Sequence, residues 1–190
     1  MSLYFAYIST HSHDLALLKG AINIGYQNQL TTAEILQALC HGRPDAIAEL
    51  EGSDAYPKLR GRLNFFNTRN GVTIEASVSG LPEGGGKCGS SVFALHIHNG
   101  SACTGSKEEP FKNAGSHYNP ADCPHPEHAG DLPPLFSNDG YAWGAVFTQR
   151  FKLSEVIGLP VIIHARPDDF TTQPSGNSGE MIACGLINYI

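Results

Sequence analysis

From Asp45 to the carboxyl end, apolar and polar residues alternate in short segments broken by turn residues. Period-two segments cover residues 46–52, 59–67, 72–79, 92–99, 141–149, 159–164 and 182–190, with a shorter one near 132–136. Strict alternation sends successive side chains to opposite faces, so each segment predicts a strand with one buried face. Arg69-Asn70-Gly71, Pro82-Glu83-Gly84-Gly85-Gly86 and Asn138-Asp139-Gly140 mark tight turns between them. Seven or eight short strands with no helix between them predict an all-β antiparallel sandwich or barrel. Two connections, residues 99–131 and 165–180, are far longer than a compact domain needs. Loops of that length usually carry function or are tied down by a metal or a disulfide.

The pattern before residue 44 is different. Asp14 can cap a short helix over residues 15–19, ended by Gly20. Thr31 with Glu34 forms a capping box ahead of Ile35, Leu36 and Leu39, and Gly42 with Pro44 stops that helix. The expected organisation is a partly helical amino-terminal extension, residues 1–43, followed by one β domain, residues 44–190.

Composition narrows the function classes. The 190 residues carry 18 Asp and Glu against 12 Lys and Arg, a net charge of −6. An acidic chain without a basic stripe excludes nucleic acid as a partner, because phosphate binding needs clustered cations. No apolar run reaches the ~18 to 20 residues that a membrane helix requires, so no membrane association is expected. The apolar stretch 1–8 has no preceding Lys or Arg and is interrupted by His11, His13 and Asp14. It does not resemble an export signal, which makes a cytoplasmic location the expectation. Cys40, Cys88, Cys103, Cys123 and Cys184 contain no CxxC pair and permit one or two bridges plus a free thiol.

Nine histidines are the unusual component. His96-Ile97-His98 falls inside a predicted strand, where both imidazoles share a face suited to chelation. The first long loop supplies His117, His125, His128 and Asp131, and His164 closes the strand before the second loop. Three histidines and a carboxylate in one loop match a closed tetrahedral zinc site, whereas imidazoles alone suit copper. Six histidines can then serve two metals only if one imidazole bridges them. Other candidates have plainer readings. His11 and His13 fit surface positions, and His41 suits the carboxyl end of a helix dipole. Trp143 and Phe147 fit packing positions. Cys123 could be a thiolate ligand or pair with Cys88, and Cys40 is expected to be a buried or free thiol.

Five motifs taken together resemble the copper/zinc superoxide dismutase family. They are Phe93-Ala94-Leu95-His96-Ile97-His98, Gly115-Ser116-His117-Tyr118-Asn119-Pro120, His128-Ala129-Gly130-Asp131-Leu132, the stretch 164–169 with its Asp168-Asp169 pair, and Gly176-Asn177-Ser178-Gly179 leading to Ala183-Cys184-Gly185. The likeness runs from about residue 45 to the carboxyl end. It implies a Greek-key β-sandwich or barrel of about eight strands whose copper alternates between two oxidation states to disproportionate superoxide. It also implies copper on His96, His98, His117 and His164, with these four as the catalytic set. Zinc would sit on His117, His125, His128 and Asp131, with His117 as the bridging imidazolate. Asp168 would orient His96 and His125 together, Cys103 and Cys184 would form a disulfide, and a homodimer is permitted.

One departure bears on activity. Family members carry an arginine two residues before the Ala-Cys-Gly of the last strand, where it docks the anionic substrate beside copper. Met181 stands at that position here, preceded by Glu180. A thioether supplies neither charge nor a hydrogen-bond donor. Arg166, two residues past His164, is the nearby cation that could steer the anion instead. The expectation is a copper- and zinc-dependent dismutase of reduced rate. The alternative is a metal-handling or structural protein of the same fold without significant turnover.

Overall fold

The computed structural model describes residues 32–83 and 91–190. The helix expected at 15–19, the residues His11 and His13, and Cys88 lie outside the described residues. The first described element is helix α1 (Thr32–His41), whose last turn is closed by a bond from the Gly42 N–H to the Ala38 carbonyl at 2.9 Å. Eight strands follow: β1 (Ala46–Gly52), β2 (Arg60–Thr68), β3 (Gly71–Ser79), β4 (Ser91–Ile97), β5 (Asp131–Ser137), β6 (Tyr141–Thr148), β7 (Pro160–His164) and β8 (Met181–Tyr189). A 3-10 turn (Lys112–Ala114) lies in the first long loop, and a one-turn helix α2 (Leu153–Val156) precedes β7. Among the described residues no helix is long and apolar enough to cross a membrane.

All pairings are antiparallel, in the order β5-β4-β7-β8-β1-β2-β3-β6. The edge strands β5 and β6 are joined by a tight hairpin and lie against each other, so the sheet rolls into a nearly closed barrel. The links β3–β4 and β6–β7 join strands that are not neighbours, which makes the topology a Greek key, as the all-β reading and the resemblance imply.

The period-two code decides what fills the barrel. Leu63 and Phe65, Ile74 and Val78, Phe93, Leu95 and Ile97, and Val161 and Ile163 all point inward and are buried in one cluster. Burying each such side chain is worth about 1.5 to 3 kcal/mol, so register is set by these positions. Strands β4 and β7 are covered on both faces over most of their length. Their outward residues, Ala94 and His96 on one and Ile162 and His164 on the other, are buried beneath the two long loops.

A register shift places one extra β8 residue between the positions opposite Ile163 and His164. Ile163 faces Ala183, but His164 faces Met181, so Ile182 is the bulged residue. Ile182 and Ala183 both remain in the core. Met181 is thereby set on the outer wall directly across from His164.

Candidate metal centre

The centre is built on the outside of the barrel wall, not in its interior. His96 lies on β4 opposite Asp131 of β5 and Ile162 of β7. His98 sits one residue past the end of β4, earlier than the strand expected to run to residue 99. There the chain leaves the ladder: the His98 N–H bonds the Pro160 carbonyl at 2.8 Å, and the residue forms an isolated bridge with His117. The same bridge docks the first loop, held further by the Tyr118 N–H to the Ile97 carbonyl at 2.8 Å and the Ile97 N–H to the Gly130 carbonyl at 2.9 Å. Gly130 has no room for a side chain, since a Cβ there would collide with the Ile97 carbonyl.

Two groups of potential ligand atoms result. His96, His98, His117 and His164 each offer one atom within 4.8 Å of the others, and so do His117, His125, His128 and Asp131. All six histidines are buried, and His117 belongs to both groups. In the first group the outer nitrogens are already engaged. His96 Nε2 meets Asp168 Oδ2 at 2.9 Å, His98 Nδ1 meets the Gly115 carbonyl at 2.9 Å, and His164 Nδ1 meets the Gly179 carbonyl at 3.2 Å. The opposite nitrogens converge: His98 Nε2 lies 3.3 Å from His164 Nε2, while His96 Nδ1 and His117 Nε2 are buried with no hydrogen-bond partner. Orphaned buried acceptors are costly, and a cation at their convergence would satisfy them.

The second group is held by Asp131. Its Oδ1 lies 2.7 Å from His117 Nδ1, and its Oδ2 lies 3.0 Å from His125 Nδ1 and 3.3 Å from His128 Nδ1. Three nitrogens and a carboxylate oxygen converging in a buried pocket fit tetrahedral zinc, whereas the all-imidazole first group fits copper. Asp168 joins the two. Its Oδ1 accepts from His125 Nε2 at 2.8 Å while its Oδ2 takes His96, so one carboxylate orients a ring from each group.

Electrostatics prepare the rings for ligation. Burial, reinforced by the neighbouring His117 and His164, holds the His96 imidazole far below its ordinary value. Burial lowers His98 to about 3 and His164 to about 4. These rings are therefore neutral at physiological pH, with the lone pairs that metals require. Burial alone would raise Asp131, but the His117 hydrogen bond and the surrounding imidazoles hold its carboxyl below the usual range.

The other residues marked in the sequence are located as follows. Cys103 and Cys184 are bridged across a separation of 81 residues, tying the first loop to β8. Cys123 is a free thiol outside both groups, and Cys40 is free and exposed rather than buried. Trp143 is also exposed, its indole N–H donating to Glu75 at 3.0 Å; it points away from the core because β6 alternates outward there. Arg166 reaches the second loop, with Nη2 donating to Asn177 Oδ1 at 3.0 Å. Met181 is half-buried against Phe111, Ile162 and the disulfide.

Sequence reasoning passed over two side chains that hold the first loop from outside, Gln173 and Arg150. Long polar side chains in irregular segments carry no periodicity that would single them out.

Comparison with known proteins agrees with this geometry. The family model for copper/zinc superoxide dismutase matches residues 59–187. A protein of Aquifex aeolicus, Superoxide dismutase [Cu-Zn] 2, is 33% identical over 157 residues, covering 75% of this chain and 85% of that protein. Superoxide dismutase [Cu-Zn] of Deinococcus radiodurans is 32% identical over 167 residues, covering 78% of this chain and 87% of the relative. In fold, the chain is similar to a Cu/Zn superoxide dismutase from Brucella abortus, with a TM-score of 0.62 at 23% identity over 74% of this chain and 98% of the other. Taken with the matched domain, these relatives show that the chain belongs to the copper/zinc superoxide dismutase family, an enzyme family whose cofactors are copper and zinc.

Proposed function

We propose that this protein disproportionates superoxide at copper held by His96, His98, His117 and His164, with zinc held by His117, His125, His128 and Asp131. The observation that carries the reading is the double membership of His117, with Nδ1 against Asp131 and a buried, partnerless Nε2 facing the other imidazoles. Bound copper supplies one-electron chemistry by alternating between two oxidation states. The chain's own residues supply the rest. His117, with Nδ1 toward the Asp131 group and a partnerless Nε2 toward the other imidazoles, would be the ligand common to both metals and could hold a proton at Nε2. Asp168 holds the rings of His96 and His125 against rotation. The carbonyls of Gly115 and Gly179 fix the tautomers of His98 and His164.

We further infer that the rate is below that of relatives with an arginine at the position of Met181. What supports this is the charge beside that residue. A cavity of about 510 Å³ next to Met181 is lined by Lys107 and Lys112 but also by Glu108, Glu109 and Glu180. Lys112 is tied to Glu109 at 2.6 Å, so this cavity carries no free excess of positive charge to draw in a small anion. Arg166 donates to Asn177 through Nη2, a neutral contact that leaves its charge available to steer an anion.

The test is metal analysis of the full chain with a superoxide assay on the copper- and zinc-loaded protein and its Met181→Arg variant. One charge-assisted contact is worth ~1.5 to 3 kcal/mol, so Met181→Arg is expected to raise the rate about ten- to a hundredfold and to introduce a clear salt dependence. A wild-type rate near the diffusional ceiling, unchanged by Met181→Arg, refutes the inference about rate. Full copper loading with no turnover in either protein would instead support a metal-handling role, the reading favoured by Met181 and Glu180 alone.

A further inference from the structure

We propose that Gln173 and Arg150 are positioning residues for the zinc half of the centre, holding the backbone of residues 125–131 so that its three ligands are in place before the metal arrives. The proposal rests on the reading that this half binds zinc. Seven residues supply three of the four donors, His125, His128 and Asp131, and the first six of them form neither strand nor helix. A segment of that kind would ordinarily become ordered only on binding, at the expense of affinity.

Here its polar backbone is gripped from two sides. Gln173, in the second long loop, pairs both backbone groups of one ligand residue. Its Oε1 accepts the His125 N–H at 2.9 Å, and its Nε2 donates to the His125 carbonyl at 2.7 Å. This is the two-point pairing of a β-ladder made by a single amide side chain. The same loop carries Asp168, which fixes the His125 ring at 2.8 Å. One loop therefore determines both where His125 sits and how its imidazole is turned.

Arg150 grips the rest. It follows β6, so it is anchored to the barrel wall. Its Nη1 donates toward the carbonyls of His128 at 3.1 Å and of Pro126 and Asp131 at 3.3 Å each. All three contacts come from this one nitrogen, so a single charged group gathers three carbonyls. The other ends of the two ligands it reaches, the His128 ring and the Asp131 carboxylate, remain free to face the metal. Neither Gln173 nor Arg150 belongs to either ligand group.

The experiment uses the full chain and three variants, Gln173→Ala, Arg150→Ala and Arg150→Lys. Zinc affinity is measured by competition with a chromophoric chelator, Co(II) is titrated in as a spectroscopic probe of the tetrahedral site, and copper affinity is measured in parallel. Each alanine variant is expected to bind zinc about tenfold more weakly, the lower end of the range for outer partners of metal ligands, because the contacts are to backbone and not to donor atoms. The Co(II) absorption should shift, copper affinity should stay within about threefold, and Arg150→Lys should recover part of the loss. If an alanine variant does not fold, Gln173→Asn, one methylene too short to span both His125 atoms, is read in the same way, and Arg150→Lys is read as a smaller loss of zinc affinity against the wild-type chain. Unchanged zinc affinity and Co(II) absorption, whatever the change in thermal stability, would overturn the proposal. Equal losses of copper and zinc would overturn it too, by revealing general loosening. A wild-type chain that takes up no zinc would instead defeat the metal reading underneath it, and the proposal with it.

Discussion

Replacing Asp168 by asparagine removes one acceptor from a site where three donors meet. Asp168 Oδ1 receives His125 Nε2 at 2.8 Å and the Phe170 N–H at 2.7 Å, whereas Oδ2 receives only His96 Nε2 at 2.9 Å. An asparagine of the same shape has one carbonyl oxygen and one NH2. The oxygen will occupy the Oδ1 position, where it keeps two bonds, and the NH2 will then face His96. When His96 binds metal through Nδ1, its Nε2 carries a proton, so two donors oppose each other in a fully buried space. An unsatisfied buried donor costs ~1 to 3 kcal/mol, equivalent to roughly five- to 150-fold in affinity. The geometry places this loss on copper, because the carboxylate oxygen that is lost is the one facing His96. Asp168→Asn should weaken copper binding about ten- to a hundredfold and zinc binding by much less, whereas Asp168→Ala should weaken both. Competition titrations with copper- and zinc-selective chelators measure the two separately. Loss of zinc with copper retained would show the amide to be turned the other way, and no loss of either would remove the carboxylate bridge from the account.

Two further outcomes follow from local geometry. Metal-free protein should lose stability as pH falls from about 6.5 towards 4: His98 and His164 titrate near 3 and 4 when folded but near 6.5 when unfolded, so only the unfolded chain takes up protons in that window. At ~1.4 kcal/mol per pH unit for each ring, these two rings alone should make urea unfolding at pH 7 and pH 5 differ by about 3 to 4 kcal/mol, with His96 adding in the same direction, and equal stabilities would contradict the buried neutral state. Gly176 has φ +64°, and a Cβ there would collide with Asp168 Oδ1 and press on His125 Nε2. Gly176→Ala should therefore cost at least ~1 kcal/mol in thermal unfolding and weaken both metals, and a variant with wild-type metal retention would show that the second loop can yield without moving Asp168.

The sequence by itself determined the strands and the chemistry. Alternation located all eight strands to within two residues at their ends, because residues such as Phe93, Leu95 and Ile97 can be buried on only one face. The spacing of His96 and His98 and the cluster from His117 to Asp131 marked the residues that the fold gathers into two groups able to hold a metal, because imidazole and carboxylate at such density suit chelation. What the chain could not declare was anything that depends on two loops meeting. Gln173 reaches His125 from 48 residues away and Arg150 reaches the His128 carbonyl from 22, through contacts that leave no local pattern, and the reach of Asp168 to His125 across 43 residues was implied only by the family resemblance. The β8 bulge likewise has no signature in the run Met181-Ile182-Ala183, which reads equally well as regular strand. Only the paired sheet shows Ile182 slipping inward and Met181 set beside His164. Local periodicity is written in the backbone's own geometry, whereas the closing of a site between distant segments is decided by packing that exists only once the barrel has formed.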